Sequence, residues 1–313
     1  MRSKSRIVTS RGVPDCFEPR PLASKPSWRL PKGAWDTHFH ALGPQSRFPY
    51  SPSRKYSPPD APVEKCLRFH DFLGVERGLV VHANTHGYDN SVDLDAVSRS
   101  NGRYLGVVRL DMKASRQYCR ELNNKGCRGV RFAFNPQHGG SLERPIFDHV
   151  MRCIEGLGWF VELHFDGAEI PALRQWLEEI QANVVIDHFG RIDVALGVNQ
   201  EPFQILLSLL ARGNFWVKLS GADRISRLGY PYSDVVPFAR ALTGTRIDRL
   251  LWGSDWPHTS YFEASRVPDD SKLLEAFTAF VPLDEDRHQI LVENPAHLLS
   301  GSASEKVRPA ISR

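Results

Sequence analysis

The sequence predicts a (β/α)8 barrel with a short helical extension at the carboxyl end. Eight short apolar runs alternate with segments of helical spacing across residues 34–300. The runs are apolar nearly throughout, as in a parallel sheet that helices cover on both faces. Polar residues recur where most runs end, and in a barrel those ends surround one mouth. A doubly wound open sheet is the alternative, but no Gly-x-Gly-x-x-Gly follows the first run, and an open sheet would spread the polar ends along a line.

The predicted strands are short and rich in β-branched or aromatic residues. They span residues 34–40, 78–81, 104–110, 129–134, 159–165, 184–187, 215–219 and 250–254. The first is the most informative, because His38 and His40 alternate with Phe39 and therefore point to one side of the strand. Asp36 is expected to share that side.

Helices are predicted at residues 62–73, 115–124, 145–157, 169–181, 202–212, 233–243, 270–280 and 284–300. The first of them follows Asp60, a residue type common at N-caps, has Pro62 near its first turn, and ends before Gly74. The last is expected to be interrupted by Pro295.

Two terminal segments flank the predicted barrel domain of residues 31–301. Residues 1–30 form a basic, proline-rich leader that is either disordered or draped over the barrel, and residues 302–313 form a tail. The leader lacks the apolar stretch of a signal peptide. The longest loop, residues 41–61, follows the first strand and carries Tyr56, so we expect it to be functional at the catalytic face.

Composition argues against several classes of protein. With 40 basic and 36 acidic residues the net charge is +4, which gives no reason to expect a nucleic-acid or membrane partner. No apolar run approaches the roughly 20 residues of a membrane span. The five cysteines are odd in number and form no Cys-x-x-Cys pair, which predicts free thiols and a cytoplasmic location. The sequence is compatible with a homo-oligomer.

Chemically active side chains stand at the carboxyl ends of most predicted strands. They are His38, His40, His82, Asn84, Arg131, His164, Asp166, Asp187, His188, Arg191, Lys218, Ser220, Arg224, Asp255 and His258. A lone histidine at a strand end is more often structural than functional, and an isolated arginine is usually a surface group. The position that these residues share at one barrel mouth favours a functional role over a structural one.

These side chains include two chemical groups. The first group has the imidazoles and the carboxylate to hold a divalent metal with a position left for water: His38, His40, His164, His188 and Asp255. The second group has the guanidinium ions that recognise planar carboxylates or sulfonates: Arg131, Arg191 and Arg224. The combination predicts an anionic substrate that is attacked by water.

Six ordered motifs make the chain recognisable: D-T-H-F-H, R-G-V-R-F, L-H-F-D, I-D-H-F-G-R, K-L-S-G-A and W-G-S-D-W-P-H. Across residues 34–300 the chain resembles the amidohydrolase superfamily. It is most similar to the branch that contains 2-pyrone-4,6-dicarboxylate lactonases, 4-sulfomuconolactone hydrolases and sugar-lactone isomerases. The resemblance implies a barrel hydrolase that opens a small anionic lactone in the catabolism of aromatic compounds or sugar acids.

The resemblance also implies roles for individual residues. Asp255 would be the general base that activates water, and it must stay ionised to do so. The lactone carbonyl would be polarised, directly or through a metal, by His38, His40 and His188. The acidic groups of the substrate would be held by Arg131, Arg191, Arg224 and Tyr56, with His258 and Asn84 as further contacts to the substrate.

Two departures from the branch bear on substrate and cofactor. Pyrone-dicarboxylate lactonases carry a second arginine six residues after the fourth-strand arginine, where this chain has Gln137. The resemblance therefore implies one guanidinium contact fewer. Those lactonases also tend to have tyrosine in place of the fifth-strand histidine and to work without metal, whereas this chain has His164. The complete ligand set favours one bound divalent metal, with zinc as the first choice.

Several alternatives stay open. A metal-dependent decarboxylase of an aromatic acid would use similar ligands, an isomerase would interconvert two lactones, and a binding barrel would have no activity. Lys218 is expected either inside the barrel, paired with a carboxylate such as Asp187, or in contact with substrate; Ser220 is equally open. Asp36 and Asp166 are expected either to orient histidines or to take part directly.

Overall fold

The strands form a closed barrel in the structure, a computed structural model that describes residues 12–134 and 143–301. Each strand pairs in parallel with the next along the chain. They are β1 (Trp35–Phe39), β2 (Arg77–Val81), β3 (Tyr104–Val108), β4 (Cys127–Ala133), β5 (Phe160–His164), β6 (Val184–Ile186), β7 (Phe215–Lys218) and β8 (Leu250–Leu251). The barrel closes between β8 and β1, where Thr37 N–H donates to Trp252 O (3.0 Å) and Asp255 N–H donates to His38 O (2.8 Å). The predicted (β/α)8 barrel is confirmed.

The helices connect the strands and follow the last one. They are α1 (Val63–Leu73), α2 (Ser91–Arg99), α3 (Arg116–Asn124), α4 (Arg144–Ile154), α5 (Ile170–Glu179), α6 (Glu201–Ala211), α7 (Ala222–Ile225), α8 (Val236–Arg246), α9 (Asp270–Phe280), α10 (Asp284–His288) and α11 (Asn294–Ser300). Neither α2 nor the four-residue α7 was predicted. In α2 the buried apolar residues Val92, Ala96 and Val97 stand among polar ones, and Asp93 is buried with them, so its periodicity is weak.

Pro295 does not interrupt the last helical segment. The π-helical turn Gln289–Glu293 joins α10 to α11, and Pro295 lies in the first turn of α11. A proline has no N–H to donate, and its ring crowds the carbonyl one turn earlier. We infer that the wider π turn accommodates the ring, so the chain stays helical from Asp284 to Ser300.

The first strand departs from simple alternation. Its register with β2 shifts just after Asp36, and Asp36 Oδ2 lies 3.2 Å from Nε2 of His70 on α1. The expectation that Asp36 points to the same side as His38 is therefore wrong. Asp36 Oδ1 instead accepts hydrogen bonds from the N–H groups of His38 and Ser254, both at 3.0 Å. This carboxylate braces the backbone where β1 meets the segment after β8.

The barrel interior is layered, because every second residue of a strand points inward. An apolar layer fills one end with Trp35, Leu79, Val81, Val107, Phe160, Val185, Trp216, Leu251 and Leu298. On β5, Phe160 is followed at two-residue steps by Glu162 and His164, and on β7 Trp216 is followed by Lys218. All of these residues are buried. A charged layer thus separates the apolar end from the mouth.

Gly253 lies where the chain leaves β8 beside β1. A Cβ added there would lie 2.5 Å from His38 Cβ and 2.8 Å from His38 N. We expect Gly253→Ala to lower the free energy of unfolding by about 1–3 kcal/mol, because backbone cannot easily move away. The matched control is Gly244→Ala in α8, where no atom lies within 4 Å of the added Cβ and alanine should stabilise by about 0.5–1 kcal/mol. Urea unfolding measures both, and equal stability of the two variants would contradict the close approach.

The described part of the leader lies against the barrel. Arg20 Nε donates to Val267 O (2.6 Å), Ser27 N–H donates to Glu275 Oε1 (3.2 Å), and the Trp28 ring lies 6.4 Å from that of Phe277. Residues 1–11 of the leader, the tail from residue 302 and Gln137 lie outside the described residues. Within the described ranges, no helix has both the length and the apolar character to cross a bilayer.

Candidate active site

A cavity of about 400 Å³ opens at the carboxyl ends of the strands. It is lined by His40, Tyr56, Ala83, Asn84, Arg131, His164, His188, Arg191, Arg224, Asp255 and Thr259. All of these except Ala83 and Thr259 are residues that the sequence singled out.

Three imidazoles converge on one oxygen of Asp255. The Nε2 atoms of His40, His38 and His188 lie 3.4, 3.6 and 3.9 Å from Asp255 Oδ1. All four side chains are buried. Asp255 has φ of 60°, a left-handed conformation that costs energy in a non-glycine residue and is common at functional sites.

Hydrogen bonds to the opposite ring nitrogens set the direction of two of these imidazoles. His40 Nδ1 lies 2.7 Å from Val81 O. Because a carbonyl oxygen only accepts, His40 Nδ1 carries the proton, and Nε2 presents its lone pair to Asp255. His188 Nδ1 lies 2.8 Å from Ser220 Oγ, an arrangement that leaves His188 Nε2 facing the same point.

The third imidazole leads to the same geometry. His38 Nδ1 lies 3.1 Å from Asp187 Oδ1, while His38 Nε2 is buried and has no hydrogen-bond partner among the described residues. Three imidazole nitrogens and one carboxylate oxygen therefore face one another, an arrangement that a cation would satisfy. Ligands of a tetrahedral zinc ion, each at about 2.0–2.1 Å, stand about 3.3 Å apart, close to the separations seen around Asp255. His38, His40 and Asp255 form one group whose ligand atoms lie within 4.8 Å of one another. The residues fit a divalent metal.

His164 stands beside this arrangement. It belongs to neither group of ligand atoms within 4.8 Å of one another in the described residues, the second group being His38, Asp187 and His188. Its ring centroid lies 5.6 Å from that of His188, and its side chain lines the cavity. Burial, with the Arg131 charge, holds the pKa of His164 well below its ordinary value, so the imidazole is neutral. Of the five predicted ligands, His38, His40 and Asp255 form one group, His188 Nε2 lies 3.9 Å from Asp255 Oδ1, and His164 is their neighbour.

The second oxygen of Asp255 is paired with Arg224. Arg224 Nε donates to Asp255 Oδ2 at 2.5 Å. Burial alone would raise the pKa of Asp255, but the Arg224 charge and the three neighbouring imidazoles together outweigh it and hold that pKa well below its usual range. Asp255 is therefore ionised, as a general base must be. Both terminal nitrogens of Arg224 also donate to Thr259 O at 3.2 Å, which fixes the plane of the guanidinium.

The other two arginines at the mouth differ in exposure. Arg131 is buried, and it donates to Asp187 Oδ2 (2.9 Å) and to His82 O (3.1 Å). Arg191 has 20% of its side chain exposed, and its Nε donates to Asp166 Oδ1 at 2.7 Å. Asp166 therefore orients an arginine rather than a histidine. Of the three arginines predicted to hold acidic groups, Arg191 is the most open to a ligand.

Lys218 lies in the interior, which decides between its two predicted positions. Its Nζ donates to Glu162 Oε2 (2.5 Å) and lies 3.3 Å from Asp187 Oδ1 and 2.9 Å from His38 Nδ1. The ammonium group, with three N–H donors and no acceptor, is thus surrounded by the two carboxylates and His38 Nδ1. Burial, with the Asp187 charge, raises the pKa of Glu162 to about 8. Glu162 was not predicted, although it stands two residues before His164 on the same face of β5.

Removing the ammonium group from this buried layer should be costly. We expect Lys218→Met to lower the free energy of unfolding by about 3–5 kcal/mol, because Glu162 and Asp187 would lose a buried cation. The double variant with Glu162→Gln should be about as stable as the single variant, since the raised pKa leaves Glu162 largely uncharged once the lysine is gone. Denaturant unfolding measures both variants. A Lys218→Met protein as stable as the wild type would refute this view of the layer.

Of His258 and Tyr56, only Tyr56 lines the cavity. His258 is fully buried outside the cavity lining, with Nε2 2.8 Å from Asp270 Oδ1, and its N–H donates to Asp255 O (2.9 Å). This position braces the turn after Asp255 and does not support the predicted contact with substrate. Tyr56 lines the cavity, and its hydroxyl lies 3.3 Å from Thr259 Oγ1. The sequence analysis missed Thr259, whose only signal is its position directly after the last motif.

The chain is similar to a protein family, to individual relatives and to solved structures. Residues 35–300 match the family model described as amidohydrolase. The chain is 48% identical over 288 residues to a 4-sulfomuconolactone hydrolase of Rhizobium radiobacter, covering 92% of this chain and 96% of the relative. It is 36% identical to a 2-pyrone-4,6-dicarboxylate hydrolase of Comamonas testosteroni, covering 88% and 92%. An apo crystal structure from Agrobacterium tumefaciens superposes with a TM-score of 0.79 at 30% identity, covering 88% of this chain and 98% of that one.

Proposed function

The chain belongs to the amidohydrolase family, and from that premise we propose that it opens an anionic lactone by attack of water on the ring carbonyl. One observation carries the proposal: an ionised Asp255 directs Oδ1 at the Nε2 atoms of three imidazoles, at 3.4–3.9 Å, in a small cavity that arginines also line. A carboxylate so placed can take a proton from water, and we assign the imidazoles to polarising the carbonyl, directly or through a metal.

The substrate class follows from the charges of the cavity and from the relatives. The relatives' names specify a sulfonated lactone in one case and a pyrone dicarboxylate in the other. In this chain Arg191 is the most exposed arginine of the lining, and we assign it the main contact with a carboxylate or sulfonate. Arg131, Arg224, Tyr56 and Asn84 complete the wall that such a group would meet.

The reaction is a hydrolysis in which atoms and protons balance. Water adds to the carbonyl carbon as Asp255 accepts one of its protons. The tetrahedral oxyanion collapses, the bond between the carbonyl carbon and the ring oxygen breaks, and the proton held by Asp255 passes to that ring oxygen. The product is an open-chain acid with a new hydroxyl or enol group. Arg224, bound to the other oxygen of Asp255, keeps the carboxylate oriented through both transfers.

A divalent metal, zinc in the first instance, fits the same residues. His38, His40, His188 and Asp255 would hold it, with His164 as the nearest further imidazole, and these ligand types suit zinc. When bound, such an ion polarises a carbonyl and lowers the pKa of water. We also propose a cytoplasmic setting, on the five free cysteines, a homo-oligomeric assembly, and a role in the catabolism of aromatic compounds or sugar acids.

The test is turnover of a panel of carboxylated and sulfonated lactones by the purified protein, with and without added zinc, followed by NMR. We expect ring-opened acids from at least one anionic lactone and none from neutral analogues of the same ring. Conversion of one lactone into another would show an isomerase. Release of carbon dioxide from a hydroxybenzoate, with no lactone turnover, would show a decarboxylase. Either outcome would replace the proposed reaction.

A further inference from the structure

We propose that residues 14–17, the N-terminal strap, are a positioning element of the active site. The strap precedes β1 in the sequence, and it joins the loop that follows β1 to the loop that follows β8. Asp15 forms a parallel bridge with Ser57. Cys16 N–H donates to Ser57 O (2.8 Å), and Ser57 N–H donates to Pro14 O (2.9 Å). The strap thus pairs with the loop after β1 through a short parallel bridge of backbone hydrogen bonds.

The strap's other contacts reach the loop after β8. Phe17 N–H donates to Tyr261 O (2.9 Å), and Ser260 N–H donates to Cys16 Sγ (3.2 Å). Burial raises the pKa of the Cys16 thiol to about 12. The thiol therefore stays protonated at neutral pH, and its sulfur acts as a hydrogen-bond acceptor rather than as a nucleophile.

The two joined loops carry residues of the cavity wall. Ser57 follows Tyr56, and Ser260 follows Thr259, and the Tyr56 hydroxyl lies 3.3 Å from Thr259 Oγ1. The contacts form a closed circuit from Tyr56 through Ser57, Cys16 and Ser260 to Thr259 and back to Tyr56. Arg224, which pairs with the catalytic carboxylate, is held by the carbonyl of Thr259. A shift of the strap would therefore move both walls of the substrate site.

The loop after β8 needs such support because its backbone is strained. Asp255, His258 and Ser260 all have positive φ, between 60° and 66°. Non-glycine residues keep this conformation only where surrounding contacts hold them there. Ser260 receives one of those contacts from the strap through Cys16 Sγ.

The strap can be disturbed without removing the rest of the leader. Arg20, Ser27 and Trp28 have their own contacts with the barrel, on Val267, Glu275 and Phe277. These anchors should survive a change at residue 17. A loss of function in a strap variant can therefore be separated from a general loss of the leader.

The first test compares Phe17→Pro with Ala23→Pro in the full chain. Phe17→Pro removes the N–H that donates to Tyr261 O. The matched control changes Ala23, an exposed leader residue whose N–H makes no hydrogen bond recorded among the described residues. We expect Phe17→Pro to speed amide hydrogen exchange at Ser57 and Ser260 and to raise KM about three- to tenfold with kcat within about twofold. The control should match the wild type.

The two measurements distinguish a failure of the strap proposal from a failure of the proposed function. Hydrogen exchange needs no substrate, whereas the KM measurement rests on the proposed function and uses the anionic lactone that the wild type turns over. If no lactone is turned over, the proposed function fails and exchange alone decides on the strap. Unchanged exchange at Ser57 and Ser260 would overturn the proposal. So would a lower melting temperature with unchanged KM, because the strap would then only stabilise the fold.

A second pair of variants tests the sulfur contact. Cys16→Ala removes the acceptor for Ser260 N–H, whereas Cys16→Ser keeps an acceptor at the same position. We expect a raised KM and faster exchange at Ser260 for the alanine variant, and values close to wild type for the serine variant. Equal values in all three proteins would overturn the positioning role of Cys16.

Discussion

Replacing Asp255 with asparagine is expected to reduce lactone opening by about a hundred- to ten-thousandfold. Asparagine preserves the shape of the side chain but cannot take a proton from water. The low pKa of Asp255, which Arg224 and the neighbouring imidazoles set against the effect of burial, keeps the wild-type carboxylate ionised at neutral pH. Substrate affinity, measured by calorimetry with the same lactone, should change only a few-fold, since the arginines of the wall remain.

Asp248→Asn is the matched control for that variant. Asp248 precedes β8 at the opposite end of the barrel, where it pairs with Arg246 and Arg249 at the surface. The same chemical change there should leave kcat and KM unaltered. A wild-type rate for Asp255→Asn would exclude Asp255 as the base, whatever the effect on affinity.

Removal of the proposed divalent metal is expected to lower kcat by about a hundredfold or more. The reason is the arrangement around Asp255, where three imidazole nitrogens and a carboxylate oxygen face one another with His38 Nε2 lacking a partner in the described residues. Dialysis against a chelator followed by elemental analysis gives the metal content, and adding back zinc should restore both metal and rate.

Two histidine variants test where that metal is bound. His40→Ala should leave the purified protein with less than one metal per chain, because a ligand is lost. His288→Ala changes a half-exposed surface histidine and should retain the full content. Full activity in protein proven free of metal would contradict the metal site and leave the imidazoles to act on the carbonyl directly.

The order of strands and the location of the site were predictable from sequence because both depend on local patterns. Alternating strand and helix signals define the barrel, and a barrel gathers all strand ends at one mouth. The pair His38 and His40 was found by period-two alternation, which holds across those two residues. It fails one step earlier, since the register shift in β1 turns Asp36 towards His70 on α1.

The sequence offered Lys218 beside Asp187 as one of two arrangements, but it did not indicate the charge pairs of the arginines. Arg131 and Arg224 looked like groups for the substrate, yet each is bound to a carboxylate from another strand end, Asp187 and Asp255. Such pairs depend on which strands face each other across the interior. The spacing of residues along one strand does not indicate which strands these are. The consequence for function is specific, because Arg191 becomes the first contact expected for the acidic group of the substrate.

In the proposed reaction, water attacks the carbonyl carbon of an anionic lactone. The most direct measurement is turnover of such a lactone in water labelled with heavy oxygen, with the product examined by mass spectrometry and NMR. Attack of water on the carbonyl carbon should give one labelled oxygen per product molecule, located in the new carboxylate. A product without label, a label in the new hydroxyl group, or no ring opening at all would contradict it.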